Sequence, residues 1–156
     1  MRLHICAVGR MRAGPERDLL DDYLLRADRT GRALGLGPTT LHEVEDKKGG
    51  GAVAEAALLE RALPQGAIRV MLDERGKLLS SPKFAQRLAE WRDAARGDLV
   101  FVIGGADGID PALRATADFS LSFGAMVWPH MLARVMLSEQ IYRATTILAG
   151  GPYHRA

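Results

Sequence analysis

The chain has 156 residues, 47% of them hydrophobic and 26% charged, which is the size and make-up of one folded domain and excludes an extended disordered segment. Its 21 lysines and arginines against 19 aspartates and glutamates leave a net charge of +2, so charge alone announces no polyanionic partner. A single cysteine, Cys6, inside an apolar run excludes an intrachain disulfide and a cysteine-rich metal site, and reads as a buried, inert thiol in a reducing compartment.

In chain order, MRLHICAVGR is expected to open with a strand, LHICAV, that Gly9-Arg10 ends before any signal-peptide pattern develops. Pro15 then suits the first position of a helix whose Leu20, Tyr23, Leu24 and Ala27 share one face. The second strand is TTLHEVE, and EDKKGGG, residues 45–51, follows as a flexible, solvated linker rather than a phosphate site. Ala52, Ala56, Leu59 and Leu63 repeat a helical spacing, and AIRVMLD, ending at Asp73, is the third strand. Ser81 is expected to cap the third helix with Pro82 behind it, and Phe84, Leu88, Trp91 and Ala95 form its apolar stripe.

LVFVIG is the fourth strand, Asp110-Pro111 starts a short helix, FSLSF is a weaker fifth strand, and Met131 to about Leu148 is the last helix. The longest uncharged stretch, FSLSFGAMVWPHMLA, is too short and too polar to span a bilayer, so the protein is expected in the cytoplasm. Strands alternating with helices predict an α/β fold: a parallel sheet with flanking helices in a single domain, residues 1–156.

Such sheets bind ligands beyond the carboxyl ends of their strands. Two expected strand ends stand out there: VMLDERGK, and VFVIGGADGID with Gly104, Gly105 and Gly108. Neither contains a dinucleotide or P-loop fingerprint. A third segment, Gly124 to Pro129, cannot pair as a strand across Pro129 and offers main-chain amides and carbonyls to a flat heteroaromatic ring; the alternative packs Met126 and Trp128 into the core. Apolar residues spread around most of the last helix predict burial on nearly every side, which a subunit interface would supply. Glu139 and Arg143 stand four apart on it and form a pair or orient a substrate. His4, His42, His130 and His154 show no metal-ligand spacing, and no G-x-S-x-G elbow supports a hydrolase.

VIGGADG, LSFGAMVWPHMLARVMLSEQIYRA and the closing PYHRA, with VGR near the start and LDERGKLLSS in the middle, closely resemble the bacterial ribosomal large-subunit pseudouridine N3-methyltransferases of the SPOUT class. The resemblance is collinear over essentially the whole chain. It implies a C-terminal trefoil knot, a rare exception to unknotted topology, and a homodimer that binds S-adenosylmethionine in the knot and methylates 23S rRNA in the assembled ribosome.

By position it assigns the cofactor to Leu72, Gly104, Gly105 and the loop Gly124, Ala125, Met126, Val127, Trp128 and Pro129. Trp128 replaces a smaller apolar residue and is expected to reshape the adenine pocket. The catalytic assignments are His154 for proton handling, Tyr153 for stacking or hydrogen bonding to the base, Arg143 and Arg155 for phosphates or a carbonyl oxygen, and Glu139 either as the base or as the anchor of Arg143. Competing readings are a noncatalytic knotted RNA-binding or ribosome-assembly factor and an unrelated α/β protein that binds a small molecule.

Overall fold

A computed structural model describes residues 1–94 and 97–156, so Ala95 of the expected stripe lies outside the described residues. Strands β1 (Leu3–Val8), β2 (Thr39–Val44), β3 (Ile68–Leu78), β4 (Leu99–Ile103) and β5 (Phe119–Ser122) alternate with helices α1 (Pro15–Gly31), α2 (Gly51–Ala62), α3 (Ser81–Ala94), α4 (Pro111–Arg114) and α5 (His130–Leu148). All strands pair in parallel in the order β2-β1-β4-β3-β5.

The middle strands β1 and β4 are covered on both faces, which is why they read as near-continuous apolar runs. Leu3, Ile5 and Ala7 pack beneath α1, α3 and α5, whereas Cys6 and Val8 pack with Leu59 and Leu63 at the α2 side and Leu113 of α4. Each fully buried aliphatic side chain contributes about 1.5–3 kcal/mol. Burial pushes the Cys6 thiol up to about 12, in keeping with an inert core cysteine.

Several boundaries differ from the expectation. The backbone N–H of Lys83 donates to the Ser80 hydroxyl, so Ser80 caps α3, while Ser81 lies inside the helix and donates to Gln140 at 2.7 Å. Helix α5 begins at His130, directly after Pro129. Only Leu132 of that helix is exposed, as its sequence suggests, yet Arg134, Ser138, Thr145 and Thr146 are among its buried residues. The three hydroxyls are satisfied by donating to carbonyls of the same helix.

The main departure lies in β3, which does not end at Asp73. Leu72 and Lys77 both pair with Leu121, and the segment between them arches out of the ladder. Ser122 Oγ donates to the Glu74 carbonyl at 3.1 Å and ties the arch to β5. A Cβ at Gly76 would stand 2.6 Å from the Ser120 carbonyl oxygen, so the arch can lie against β5 only because residue 76 has no side chain. Gly76→Ala is expected to destabilise the fold by about 1–3 kcal/mol, read as a lower urea midpoint; an unchanged midpoint contradicts that close approach.

On the other side of the sheet His4 Nδ1 lies 2.9 Å from His42 Nε2, and His4 Nε2 lies 2.8 Å from Asp98, which Arg2 also contacts. Burial, and then the neighbouring His4, hold the His42 imidazole below its ordinary range. The unfolded chain therefore binds the His42 proton at higher pH than the folded one, and stability is lost as pH falls through about 6.5. Between about pH 7.5 and 5.5 the urea midpoint should fall further in the natural chain than in His42→Gln; equal changes contradict this.

Candidate functional site

The carboxyl ends of β3, β4 and β5 open onto a crevice of about 450 Å³, within the size range of small-molecule sites. Leu72, Gly104, Gly105, Gly124, Met126, Val127 and Trp128 all line it; Ala125 and Pro129 belong to the same loop without lining it. A Cβ on Gly104 would stand 2.7 Å from the Gly108 carbonyl carbon, so the turn closed by Gly108 N–H donating to Gly105 O at 3.0 Å needs glycine there. Met126, Val127 and Trp128 are 73%, 86% and 42% exposed, which overturns the reading that packs Met126 and Trp128 into the core.

The floor also holds Asp73, whose side chain is only 11% exposed and lies 3.6 Å from Arg114 and 3.7 Å from Arg75. Glu55 reaches the same rim from α2: a Cβ on Gly105 would be 2.7 Å from its Oε2. Burial first, then Asp107 and Asp46, raise the Glu55 carboxyl above its ordinary range. The crevice thus joins a floor where Asp73 is paired with Arg114 and Arg75, a glycine turn beside Asp107, and an apolar lip.

The expected catalytic residues form a second constellation. Gly150 sits at φ +74°, and N–H groups of Gly150 and Gly151 donate to the carbonyls of Ile147 and Thr146. This Schellman ending stops α5 and sends the tail back along it. Tyr153 packs on Tyr142 with ring centroids 4.7 Å apart and donates to Glu139 Oε1 at 3.0 Å. Arg143 donates to that oxygen from Nε at 3.0 Å and Nη2 at 2.6 Å, and Gln140 donates to Glu139 Oε2.

The carboxylate of Glu139 is therefore occupied on both oxygens. Arg143 Nη1 lies 3.2 Å from His154 Nδ1, and because a guanidinium only donates, that ring nitrogen is the acceptor. Burial, and after it the bond to Glu139, push the Tyr153 hydroxyl up to about 12, so it stays protonated at neutral pH. Glu139, Arg143, Tyr153 and His154 are brought together, while Arg155 is exposed and takes no part in their hydrogen bonds.

The two constellations are apart. The last residue of α5 that lines the crevice is Ala133, and Arg143 lies ten residues further along the helix, roughly 15 Å at 1.5 Å per residue. Between them a groove of about 460 Å³ runs past Leu19, Tyr23, Leu79, Phe123, Met136 and Glu139.

Three polar residues at or beside the crevice escaped the sequence reading. Asp73 and Glu55 carry no motif of their own, although Asp73 sits in the noted VMLDERGK segment. Arg134 looks like one more charge on a helix, yet it is fully buried, with Nη1 on Glu43 and Nη2 on the carbonyls of Val8 and Gly9. Among the described residues, no group of three or more His, Cys, Asp or Glu side chains is arranged to hold a metal ion, and no helix is long and apolar enough to cross a membrane.

A family model described as predicted SPOUT methyltransferase matches residues 1–154, and the chain belongs to that family. It is similar to the ribosomal RNA large subunit methyltransferase H of Ruegeria pomeroyi and to that of Paracoccus denitrificans, each 72% identical over 155 residues and 99% of both chains. In fold it is similar to a probable methylase family protein from Haemophilus influenzae, at a TM-score of 0.52 and 13% identity over 99% of this chain and 70% of that one.

Glu139→Ala leaves the partly buried donors of Tyr153, Arg143 and Gln140 without their acceptor and should cost about 1–3 kcal/mol. It should also speed proteolysis of the tail; unchanged stability and unchanged proteolysis contradict the hub role of this carboxylate.

Proposed function

We propose that this chain methylates N3 of a pseudouridine in the 23S rRNA of the assembled large subunit, using S-adenosylmethionine and acting in the cytoplasm as a homodimer. The observation that carries the reading is the crevice, where a glycine turn, exposed main chain and buried acid converge. Its size and its acidic groups suit a cofactor that is flat at one end and cationic at the other. The relatives in Ruegeria and Paracoccus, named for action on large-subunit rRNA, support the substrate. The match to the SPOUT family supports the expected C-terminal knot.

Held in the crevice by Leu72, the Gly104–Gly105 turn and the Gly124–Pro129 loop, S-adenosylmethionine would supply a methyl group on a sulfonium to the attacking imide nitrogen, with a neutral thioether as the leaving group. The residues of the chain align that nitrogen and remove its proton. Reacting atoms must come within about 3–3.5 Å, and Arg143, which bonds His154, lies roughly 15 Å of helix rise beyond Ala133, the last crevice residue of α5. The crevice of one copy is therefore completed by the tail of the other. The groove beside Glu139, bordered by exposed Leu19 and Leu78, supports the same seam.

Within the tail, Glu139 is the anchor rather than the base, because both its oxygens already accept hydrogen bonds. Tyr153, protonated, stacks on or donates to the base. Arg143 turns from His154 to a carbonyl oxygen of the imide, where negative charge grows as the proton departs, and His154 Nδ1, thereby released, accepts that proton. Alignment and proton removal are the two contributions asked of the protein.

Deleting Pro152 to Ala156 should abolish methylation of ribosomes lacking the modification while leaving S-adenosylmethionine binding by calorimetry near that of the full chain. His154→Ala should lower kcat by about 10²–10⁴. Ribosome methylation at the full rate by either variant removes the catalytic role of the tail. Cofactor binding without any methyl transfer by the natural chain favours the assembly-factor reading.

A further inference from the structure

Arg134 is among the largest fully buried side chains, and its guanidinium holds the chain as it leaves β1. Nη2 donates to Val8 O at 3.0 Å and Gly9 O at 3.2 Å, and Nη1 donates to Glu43 Oε2 at 2.9 Å. Glu43 in turn accepts the backbone N–H of Met11, and Arg17 donates to Met11 O at 3.3 Å. Met11 itself is buried. The short segment after β1 is thus fixed through its main chain by residues from α1, β2 and α5, with an apolar anchor in its middle.

The side chains flanking that anchor are Arg10 and Arg12, both solvent-exposed. Arg10 meets Glu45 at 3.4 Å across a largely exposed pair, and Arg12 has no ion-pair partner among the described residues. The segment also borders the crevice. A Cβ at Gly9 would stand 3.7 Å from His130 Nε2, and one at Gly105 would stand 3.2 Å from Val8 Cγ1. His130 and Gly105 both line the crevice. A buried ion pair therefore holds two exposed guanidinium groups at one lip of the site, in a chain whose net charge is only +2.

We infer that the Gly9–Arg12 loop is a contact for the rRNA sugar-phosphate backbone beside the crevice, with Arg10 and Arg12 as its phosphate-binding groups and Arg134 as the positioning residue. The inference rests on the methyltransferase reading above and adds the surface that docks the RNA. Phosphate contacts fix register and orientation without reading sequence. A guanidinium fork on a fixed backbone suits that task, because it makes paired hydrogen bonds to phosphate.

The test is ribosome methylation over a range of salt, with S-adenosylmethionine binding measured separately. The doubly substituted Arg10→Ala, Arg12→Ala chain should bind the cofactor like the natural chain. On ribosomes it should lose about tenfold or more in kcat/KM, and its logarithmic salt slope should be shallower by about 1 to 2. Arg10→Lys with Arg12→Lys should restore most of the salt slope. Arg134→Lys, which cannot bridge Glu43 and two carbonyls in the same way, should raise KM for ribosomes more than it lowers kcat. A double alanine chain with the natural kcat/KM and salt slope overturns the inference while leaving the methyltransferase reading intact. Failure of the natural chain to methylate ribosomes overturns both.

Discussion

A guanidinium without solvent contact is tolerated only when most of its donors are met: Nη1 and Nη2 of Arg134 reach Glu43 and the carbonyls of Val8 and Gly9 at the exit of β1, and Nε alone has no partner among the described residues. Burial pulls the pKa of this group down and the Glu43 carboxylate opposes that shift. The pair couples three elements distant in sequence, so the exit of β1, the end of β2 and the opening turns of α5 are fixed together. Those same turns carry His130 and Ala133 to the crevice wall. The crevice thus inherits its geometry from an ion pair that lies outside its lining.

Helix α5 has a different task at each end. Its start walls the crevice; its later turns bear Glu139 and Arg143, onto which the Schellman ending folds Tyr153 and His154. A rigid helix cannot bring its two ends to one reacting atom, so a single copy holds the two halves of the proposed site apart. An isologous dimer resolves this, since a two-fold axis that brings one tail to the partner's crevice also does the reverse. The tail is held against α5 because Glu139 accepts from Tyr153 and Arg143 at once.

Much of this was legible in the sequence because it is local. Apolar runs, Pro15, Asp110-Pro111 and the glycines after the fourth strand mark elements and the crevice through short-range chemistry. What stayed hidden depends on partners far along the chain. The arch in β3 looks like a turn, because the contact that demands Gly76 comes from Ser120 and Leu121. Arg134 escaped notice because its acceptors lie more than ninety residues away. The adjacent hydroxyls of Ser80 and Ser81 read alike until Gln140 claims one of them. Spacing predicts the pairing of Glu139 with Arg143; that Glu139 also takes Tyr153, and that His154 Nδ1 is an acceptor, follows only from counting donors.

The central claim is that each site takes its crevice from one copy and its tail from the other, and complementation tests it most directly. A chain with its crevice closed by Gly104→Val and a chain lacking Pro152 to Ala156 are each expected to be inactive on ribosomes. Coexpressed, they form mixed dimers in which one of the two sites is whole, so random pairing should return about a quarter of the natural activity. Activity no greater than the sum of the two parents, in a preparation shown to contain mixed dimers, contradicts the account.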